Sequence, residues 1–399
     1  MSSDAGYQRK LDAVQRATLT PEQQSLQESL RQFMNREVEP LVAGCEDTGI
    51  FPRQVLPGLV PFGPVGGILP ETSGGQGLSY TDMAVLMEET GYHWMSLRST
   101  LSVITMVALI LDRAATDQQR AEYLAPLLRG QRLCWFGITE PDHGSDVRGI
   151  ETTAVPDGDG YVINGTKLWI TNGAIGDFGV LLAKVKPPDG TGDEGLTAFL
   201  IDPRSCEFEA QRVETMFLKA TTTSELSFAG TRVSADALLG KVGEGGALFL
   251  TGLDLGRLNV AMGAVGAAQR ALDTSIRYAT DRTQFGKRIA EFQLVQQLVA
   301  DMRVKTAAAR SLGYAAARVL DTSGVIAREE CAIAKLFATE TAFEVANNAL
   351  QVHGAMGTSK EYGLERVFRD ARGGMIVEGT SQVQRLVIAR EQLGISAFV

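Results

Sequence analysis

The chain has 399 residues, a formal net charge of −9 and a sequence pI near 5.1. With 44% hydrophobic and 21% charged residues it can bury a large core across two or three structural domains. Its acidic balance, with no Lys/Arg block, argues against nucleic acid as a partner.

Four cysteines (Cys45, Cys134, Cys206, Cys331) lie far apart in a chain with three histidines, so neither a disulfide framework nor a metal site is expected. Each reads as a small buried hydrophobe. The first residues lack the apolar centre of a secretion signal, and Asp4 and Asp12 weaken a transit-peptide reading, which makes a cytoplasmic location the expectation. Thr20-Pro21-Glu22-Gln23 combines an N-cap, a proline at the first helical position and a Gln that closes a capping box. Helical spacing continues to about 130, giving an N-terminal helical domain (1–130) interrupted by the Gly-rich loop 71–77. The apolar run 101–111 is too short to span a bilayer and is expected as a buried helix, so no membrane span is predicted.

From 131 the pattern changes to short β-type runs at 133–139, 161–165, 180–185 and 196–201, with Asp157-Gly158-Asp159-Gly160 as a hairpin signal. A middle β-domain (131–240) follows. Gly190-Thr191-Gly192-Asp193-Glu194-Gly195 matches G-x-G-x-x-G, but it sits in an acidic turn before a strand-like run and lacks the helix N-terminus that would receive a pyrophosphate; it is read as a surface loop. Beyond Gly246 the periodicity is helical again, with Ala-rich stretches and Gly263, Gly266 and Ala267 placed for close helix contact, so 241–399 reads as a helix bundle. The expected fold class is α+β and mostly helical.

The candidate base is Glu378, between the apolar Ile376-Val377 and Gly379-Thr380-Ser381. Ser381 with Gln384 fits a capping box, so Glu378 precedes a helix N-terminus. Burial would raise its pKa and the helix dipole would lower it, and the sequence leaves that balance open. A capping or surface charge is the competing reading of this Glu taken alone.

Four further segments accompany it in order: Phe136-Gly137-Ile138-Thr139-Glu140-Pro141-Asp142-His143-Gly144-Ser145-Asp146, Trp169-Ile170-Thr171-Asn172-Gly173, Asp281-Arg282-Thr283-Gln284-Phe285-Gly286-Lys287, and Gln351-Val352-His353-Gly354-Ala355-Met356-Gly357. With Glu378-Gly379-Thr380-Ser381-Gln382 the set resembles the acyl-CoA dehydrogenase family along nearly the whole chain. The resemblance implies an N-terminal helical domain, a middle β-barrel-like domain and a C-terminal four-helix bundle. It also implies FAD as cofactor and α,β-dehydrogenation of an acyl-CoA thioester, with Glu378 taking the α-proton while the β-hydride goes to flavin N5. Flavin contacts would come from Phe136, Ile138, Thr139, Ser145, Trp169 and Thr171, then from Thr380 and Gln382. The diphosphate and adenosine would be met across a subunit interface by Arg282, Gln284, Phe285, Ile289, Phe292, Gln293, Gln351 and Gly354. Ala355 replaces the family's second glycine there. A homotetramer, built as a dimer of dimers, and an electron-transfer flavoprotein as electron acceptor are the implied partners.

On the substrate side the resemblance implies Ser145 near the thioester, Asp254 and Arg257 near the CoA portion, and the Glu378 amide with Gly379 near the thioester carbonyl. An intrahelical ion pair is the equal alternative for Asp254 and Arg257. Some family members carry the base at the position of Gly256, and glycine there supports Glu378. Val377 stands where an aromatic is common, so the pocket is expected to admit branching. The segment 93–99 occupies the region that approaches the acyl tail, and its surroundings resemble the glutaryl-CoA branch. Arg98 or His93 would then meet a polar or carboxylate-bearing acyl end, although solvent exposure is the favoured expectation for Arg98. Two alternatives remain: the same fold and flavin oxidising a carrier-protein-bound acyl group or using oxygen as acceptor, and a non-enzymatic helical interaction protein.

Overall fold

Thr20 begins the first helix as its sequence predicts. Its hydroxyl accepts from Gln23 N at 3.2 Å and the Gln23 side chain accepts from Thr20 N at 3.1 Å, closing the capping box of α1 (Pro21–Phe33). A computed structural model describes residues 18–187, 192, 194–323 and 328–397; the N-terminal targeting reading and Gly190, Thr191 and Asp193 of the rejected glycine motif lie outside the described residues. After α1 come α2 (Glu39–Thr48), α3 (Tyr80–His93) and α4 (Met95–Ala114). The run 101–111 forms part of α4, which is apolar on nearly every side and correspondingly buried. α4 and the later α5 (Gly245–Asp281) are long and apolar enough to cross a membrane, yet both are mostly enclosed by the rest of the chain, as core helices are.

Among the described residues eight strands follow: β1 (Cys134–Gly137), β2 (Thr153–Asp157), β3 (Gly160–Ile170), β4 (Phe178–Val185), β5 (Gly195–Ile201), β6 (Glu209–Arg212), β7 (Ser224–Ser234) and β8 (Leu238–Leu239). They form one sheet in the order β6-β7-β3-β2-β4-β5-β8, with β1 pairing parallel to β4. Asp157 pairs with Gly160 across the predicted two-residue turn, where Gly158 adopts φ +62°. Trp135, Phe199, Leu226 and Phe228 fill a core on the sheet. The register of β3 against β7 breaks between Lys167 and Ile170, and Trp169 lies in that break at φ +64°.

The last third of the chain is α5, α6 (Gln293–Ser323), α7 (Arg328–His353), α8 (Leu364–Gly374) and α9 (Ser381–Leu393). α5 runs about 55 Å at 1.5 Å per residue and packs against α3, α4, α6 and α7. A side chain at Gly91 would meet the Gly263 backbone at 2.4 Å, and one at Gly266 would meet Glu88 O at 2.1 Å, so small residues let α3 and α5 approach closely.

Candidate active site

Glu378 lies in the turn between α8 and α9 at φ +54°, a left-handed conformation that costs a non-glycine residue roughly 1–2 kcal/mol. The turn is held by Val377 N donating to Gly373 O at 3.1 Å and Ser381 N donating to Met375 O at 3.0 Å. The cap of α9 differs by one residue from the sequence reading: Thr380 is the N-cap, accepting from Val383 N at 3.2 Å, and Ser381 is already helical. Gln384 turns its amide back to Gly379 O (2.9 Å) and Glu378 O (3.3 Å), which fixes the turn from the side where the capping box was expected.

This backbone aims the carboxylate inward, between α4 and α5. Glu378 Oε1 accepts from Ser102 Oγ at 3.4 Å, and Ser102 accepts in turn from Asn259 Nδ2 at 3.3 Å. Oε2 is buried with no hydrogen-bond partner among the described residues. It occupies the hollow left by Gly256, where a Cβ would stand 2.1 Å from Oε2 and 2.9 Å from Met106 Sδ. Burial pushes the Glu378 pKa above the ordinary carboxylate value, against the pull of Arg98, Lys335, Ser102 and Arg257. Burial therefore wins the balance that the sequence left open, and an unsatisfied, desolvated carboxylate oxygen is a strengthened base.

Arg98 corrects an expectation. It is 1% exposed, on the inner part of α4, with its aliphatic stem laid against Gly263 and with Nε and Nη1 lacking partners. Burial lowers its pKa while the Glu378 and Asp370 charges raise it. His93 is committed elsewhere: Nδ1 pairs with Glu39 at 2.9 Å and Nε2 lies 3.3 Å from Glu89. Asp254 and Arg257 form the intrahelical pair, with Arg257 Nη1 at 2.6 Å from Asp254 Oδ1, both buried.

The flavin candidates divide into two groups. Phe136 is buried against Phe249 at 4.4 Å between ring centroids, Ile138 and Thr171 are half-buried, and Thr139 O accepts from Leu168 N. Trp169 is 55% exposed, turned out by its break in β3, and Ser145 is exposed on the neighbouring loop. Beneath them the buried Lys167 donates to Ile138 O (3.1 Å) and to Glu140 (2.7 Å), and Glu140 also accepts from Thr152 N (3.0 Å), so Glu140 braces its loop. Asn172 joins β1 to α4 through Cys134 O (3.1 Å) and Thr100 (3.3 Å). Thr380 is half-buried and Gln382 exposed at the start of α9.

The second group is at the far end of α5. Arg282 caps that helix, and the hairpin of β9 (Thr283–Gln284) and β10 (Lys287–Arg288) turns through Phe285 (φ +51°) and Gly286 (φ +78°). Phe285 is 93% exposed; Arg282, Gln284 and Gln293 are exposed, and Ile289 and Phe292 half-buried. Tyr278 stacks on His353 at 4.2 Å, which brings the exposed Gln351 and Gly354 to the same end of the bundle. Arg282 is 26 residues beyond Gly256 along α5, about 39 Å.

Sequence reasoning missed Lys335, Ser102 and Asn259 altogether. Lys335 had a signal, because it falls at helical spacing with Cys331, Ala338 and Ala342 on the inward stripe of α7.

A bound flavin fits this arrangement. Trp169 presents a large flat side chain held out from its sheet beside the Thr171 and Thr139 segments, and the carboxylate of Glu378 is left with an unsatisfied oxygen. Comparison with known proteins agrees along the chain. Residues 20–131, 135–231 and 243–393 match the N-terminal, middle and C-terminal domains of acyl-CoA dehydrogenase. The chain is 38% identical to the probable acyl-CoA dehydrogenase YngJ of Bacillus subtilis, over 94% of this chain and 99% of that protein. It is also 38% identical to the caffeyl-CoA reductase-Etf complex subunit CarC of Acetobacterium woodii, over 90% and 95%. A glutaryl-CoA dehydrogenase from Mycobacterium smegmatis in complex with FADH2 superposes with a TM-score of 0.91 at 29% identity, covering 96% of this chain and 97% of that one. The chain belongs to the acyl-CoA dehydrogenase family, whose members are FAD-dependent oxidoreductases that dehydrogenate acyl-CoA thioesters.

Proposed function

We propose that Glu378 is the base that takes the α-proton of an acyl-CoA whose acyl end carries a carboxylate or comparable polar group, and that Arg98 binds that end. The observation that carries this reading is a pair of unsatisfied buried groups that act on each other's charge: Glu378 Oε2, and Nε and Nη1 of Arg98. A buried guanidinium without a partner is costly, and an incoming carboxylate would repay it with a charge-assisted, forked contact. Glutaryl-CoA dehydrogenase among the structural neighbours makes a dicarboxylic acyl group the leading class.

Bound FAD supplies the acceptor for the β-hydride. The chain supplies the rest. Glu378 receives the proton at Oε2, and Ser102 orients its other oxygen. The amide N–H of Glu378 has no acceptor among the described residues and is free to donate to the thioester carbonyl, where enolate-like charge develops. Phe136, Ile138, Thr139, Ser145, Trp169, Thr171, Thr380 and Gln382 would hold the flavin of their own chain. Arg282, Gln284, Phe285, Ile289, Phe292, Gln293, Gln351 and Gly354 would serve the site of a second copy, for which the roughly 39 Å between Arg282 and the Glu378 pocket is the support. A homotetramer provides such copies, and an electron-transfer flavoprotein is proposed as electron acceptor, supported by the Etf complex of the Acetobacterium woodii relative.

The test is the visible spectrum of the purified protein during anaerobic addition of straight-chain, branched and dicarboxylic acyl-CoAs. Flavin bleaching by the dicarboxylic substrate is expected, and Arg98→Met should weaken it about 30-fold or more while sparing straight-chain substrates. Equal loss on all three classes would reject Arg98 as a specific anchor. A flavin that no acyl-CoA bleaches would reject the substrate class.

A further inference from the structure

Lys335 lies on the inward face of α7 and is fully buried. Its ammonium has one hydrogen-bond partner among the described residues, the carbonyl oxygen of Gly379. Gln384 already donates to that same oxygen at 2.9 Å. A neutral amide is therefore enough to tie the turn, yet the protein adds a cation whose removal from water costs several kcal/mol. The charge itself needs a use.

The groups around the Glu378 carboxylate show what that use is. Ser102 and Arg98 face it from α4, Arg257 from α5 and Lys335 from α7; Gln384 of α9 donates to the Glu378 backbone carbonyl instead, and Asp370 of α8 acts on Arg98. Arg257 is tied to Asp254 at 2.6 Å. Arg98 is the group assigned above to the acyl end. Lys335 is the remaining cation, with no carboxylate partner at contact distance among the described residues.

We propose that Lys335 is the positioning residue of the catalytic turn: its charged hydrogen bond to Gly379 O holds the left-handed Glu378–Gly379 backbone, and its charge keeps the Glu378 carboxylate ionised and ready to accept a proton. Burial depresses the Lys335 ammonium to about 8 and the Glu378 charge opposes that fall, which agrees with the two groups sensing each other. The inference rests on Glu378 being the base.

Lys335→Gln keeps a donor and removes the charge, and Lys335→Met removes both. In the holoenzymes the acid limb of kcat should move to higher pH by about one unit in both variants, because the carboxylate has lost a stabilising cation. At neutral pH kcat should fall about tenfold in Lys335→Met and less in Lys335→Gln, with KM for the acyl-CoA unchanged, since the proposal gives Lys335 a role on the turn and none in substrate binding. A second readout needs no turnover: the gain in Tm caused by Glu378→Gln at pH 8 should be larger in the Lys335→Gln background than in the wild type. An unmoved acid limb, or an equal gain in both backgrounds, overturns the proposal. Failure of Lys335→Met to fold leaves Lys335→Gln to decide. Full activity in Glu378→Gln would sink both this inference and the assignment of the base, whereas an inactive Glu378→Gln beside an unmoved limb in Lys335→Gln sinks this inference alone.

Discussion

Glu378 and Phe285 share a backbone peculiarity and differ in everything else. Both are non-glycine residues at positive φ, +54° and +51°, and both belong to segments that carry the family resemblance. Glu378 points one oxygen into a hollow closed by Gly256 and Met106, with Arg98, Lys335, Ser102 and Arg257 of the same chain acting on its carboxylate. Phe285 stands 93% exposed at a hairpin tip, with Phe292 6.1 Å away as its ring contact. Local strain persists only where something is gained from it. At Glu378 the gain is visible within the chain, and at Phe285 the proposed gain is a contact with a second copy's cofactor.

The sharpest way to break the comparison is to remove the proposed base. Glu378→Gln keeps the shape of the pocket and should lower kcat by about 10²- to 10⁴-fold with FAD content unchanged, as read by flavin absorbance and anaerobic reduction. Retained dehydrogenation would end the assignment. Gly256→Ala tests the hollow instead of the base. Its Cβ would stand 2.1 Å from Oε2, so the carboxylate must move. A displacement near 1 Å costs about 10²-fold, and kcat should fall while bound FAD and the melting temperature change little. Wild-type turnover in this variant would show that the carboxylate is not confined as described.

The hairpin is tested in the opposite currency. Phe285→Ala should leave the Glu378 pocket intact and weaken FAD retention by about 2 kcal/mol, roughly 30-fold, if the ring packs on a second copy's cofactor. Flavin-to-protein ratio after gel filtration, with mass by light scattering, reads both parts. Unchanged flavin content would remove the shared-site reading for this hairpin and leave the pocket untouched.

How far these features were legible in the sequence follows from what each depends on. Fold class was readable because it rests on local signals: the Thr20–Gln23 capping box, the Asp157–Gly160 turn and the long helical periodicity after Gly246 each act within a few residues. Glu378 was singled out for its apolar neighbours and following glycine, but the sign of its pKa shift was not available, because burial by α4 and α5 comes from residues more than a hundred positions away. Arg98 was misjudged for the same reason. Charge suggested a surface position, and only the packing of α4 against α5 at Gly263 shows that the stem is enclosed. Lys335 was lost among alanines whose spacing marked the buried stripe but gave no hint of what lay opposite. The one-residue shift of the cap from Ser381 to Thr380 is a smaller case: both residues carry hydroxyls, and the choice was made by Gln384 reaching back to Gly379.

The smallest expected effect concerns the wall behind Arg98. Asp370 is buried on α8, with Oδ1 accepting from Leu218 N at 2.8 Å. Burial, aided by the neighbouring Glu46 carboxylate, pushes its pKa up to about 7 against the pull of Leu218 N–H, Arg369 and Arg366. Because the folded value lies above the unfolded one, protonated Asp370 favours folding, and its contribution is full below about pH 4 and lost as pH rises through about 7. Asp370→Asn keeps an acceptor for Leu218 N and cannot ionise. At pH 8.5 it should therefore melt higher than the wild type by an amount on the order of 1 kcal/mol, a degree or two in Tm, and the difference should shrink as pH falls, until at about pH 4 the two coincide. Arg282→Ala in the exposed hairpin supplies the contrast, with a Tm difference that is the same at both pH values. A pH-independent difference for Asp370→Asn would mean that the pocket wall is wetter than its packing shows, and with it the desolvation that strengthens Glu378 would lose its support.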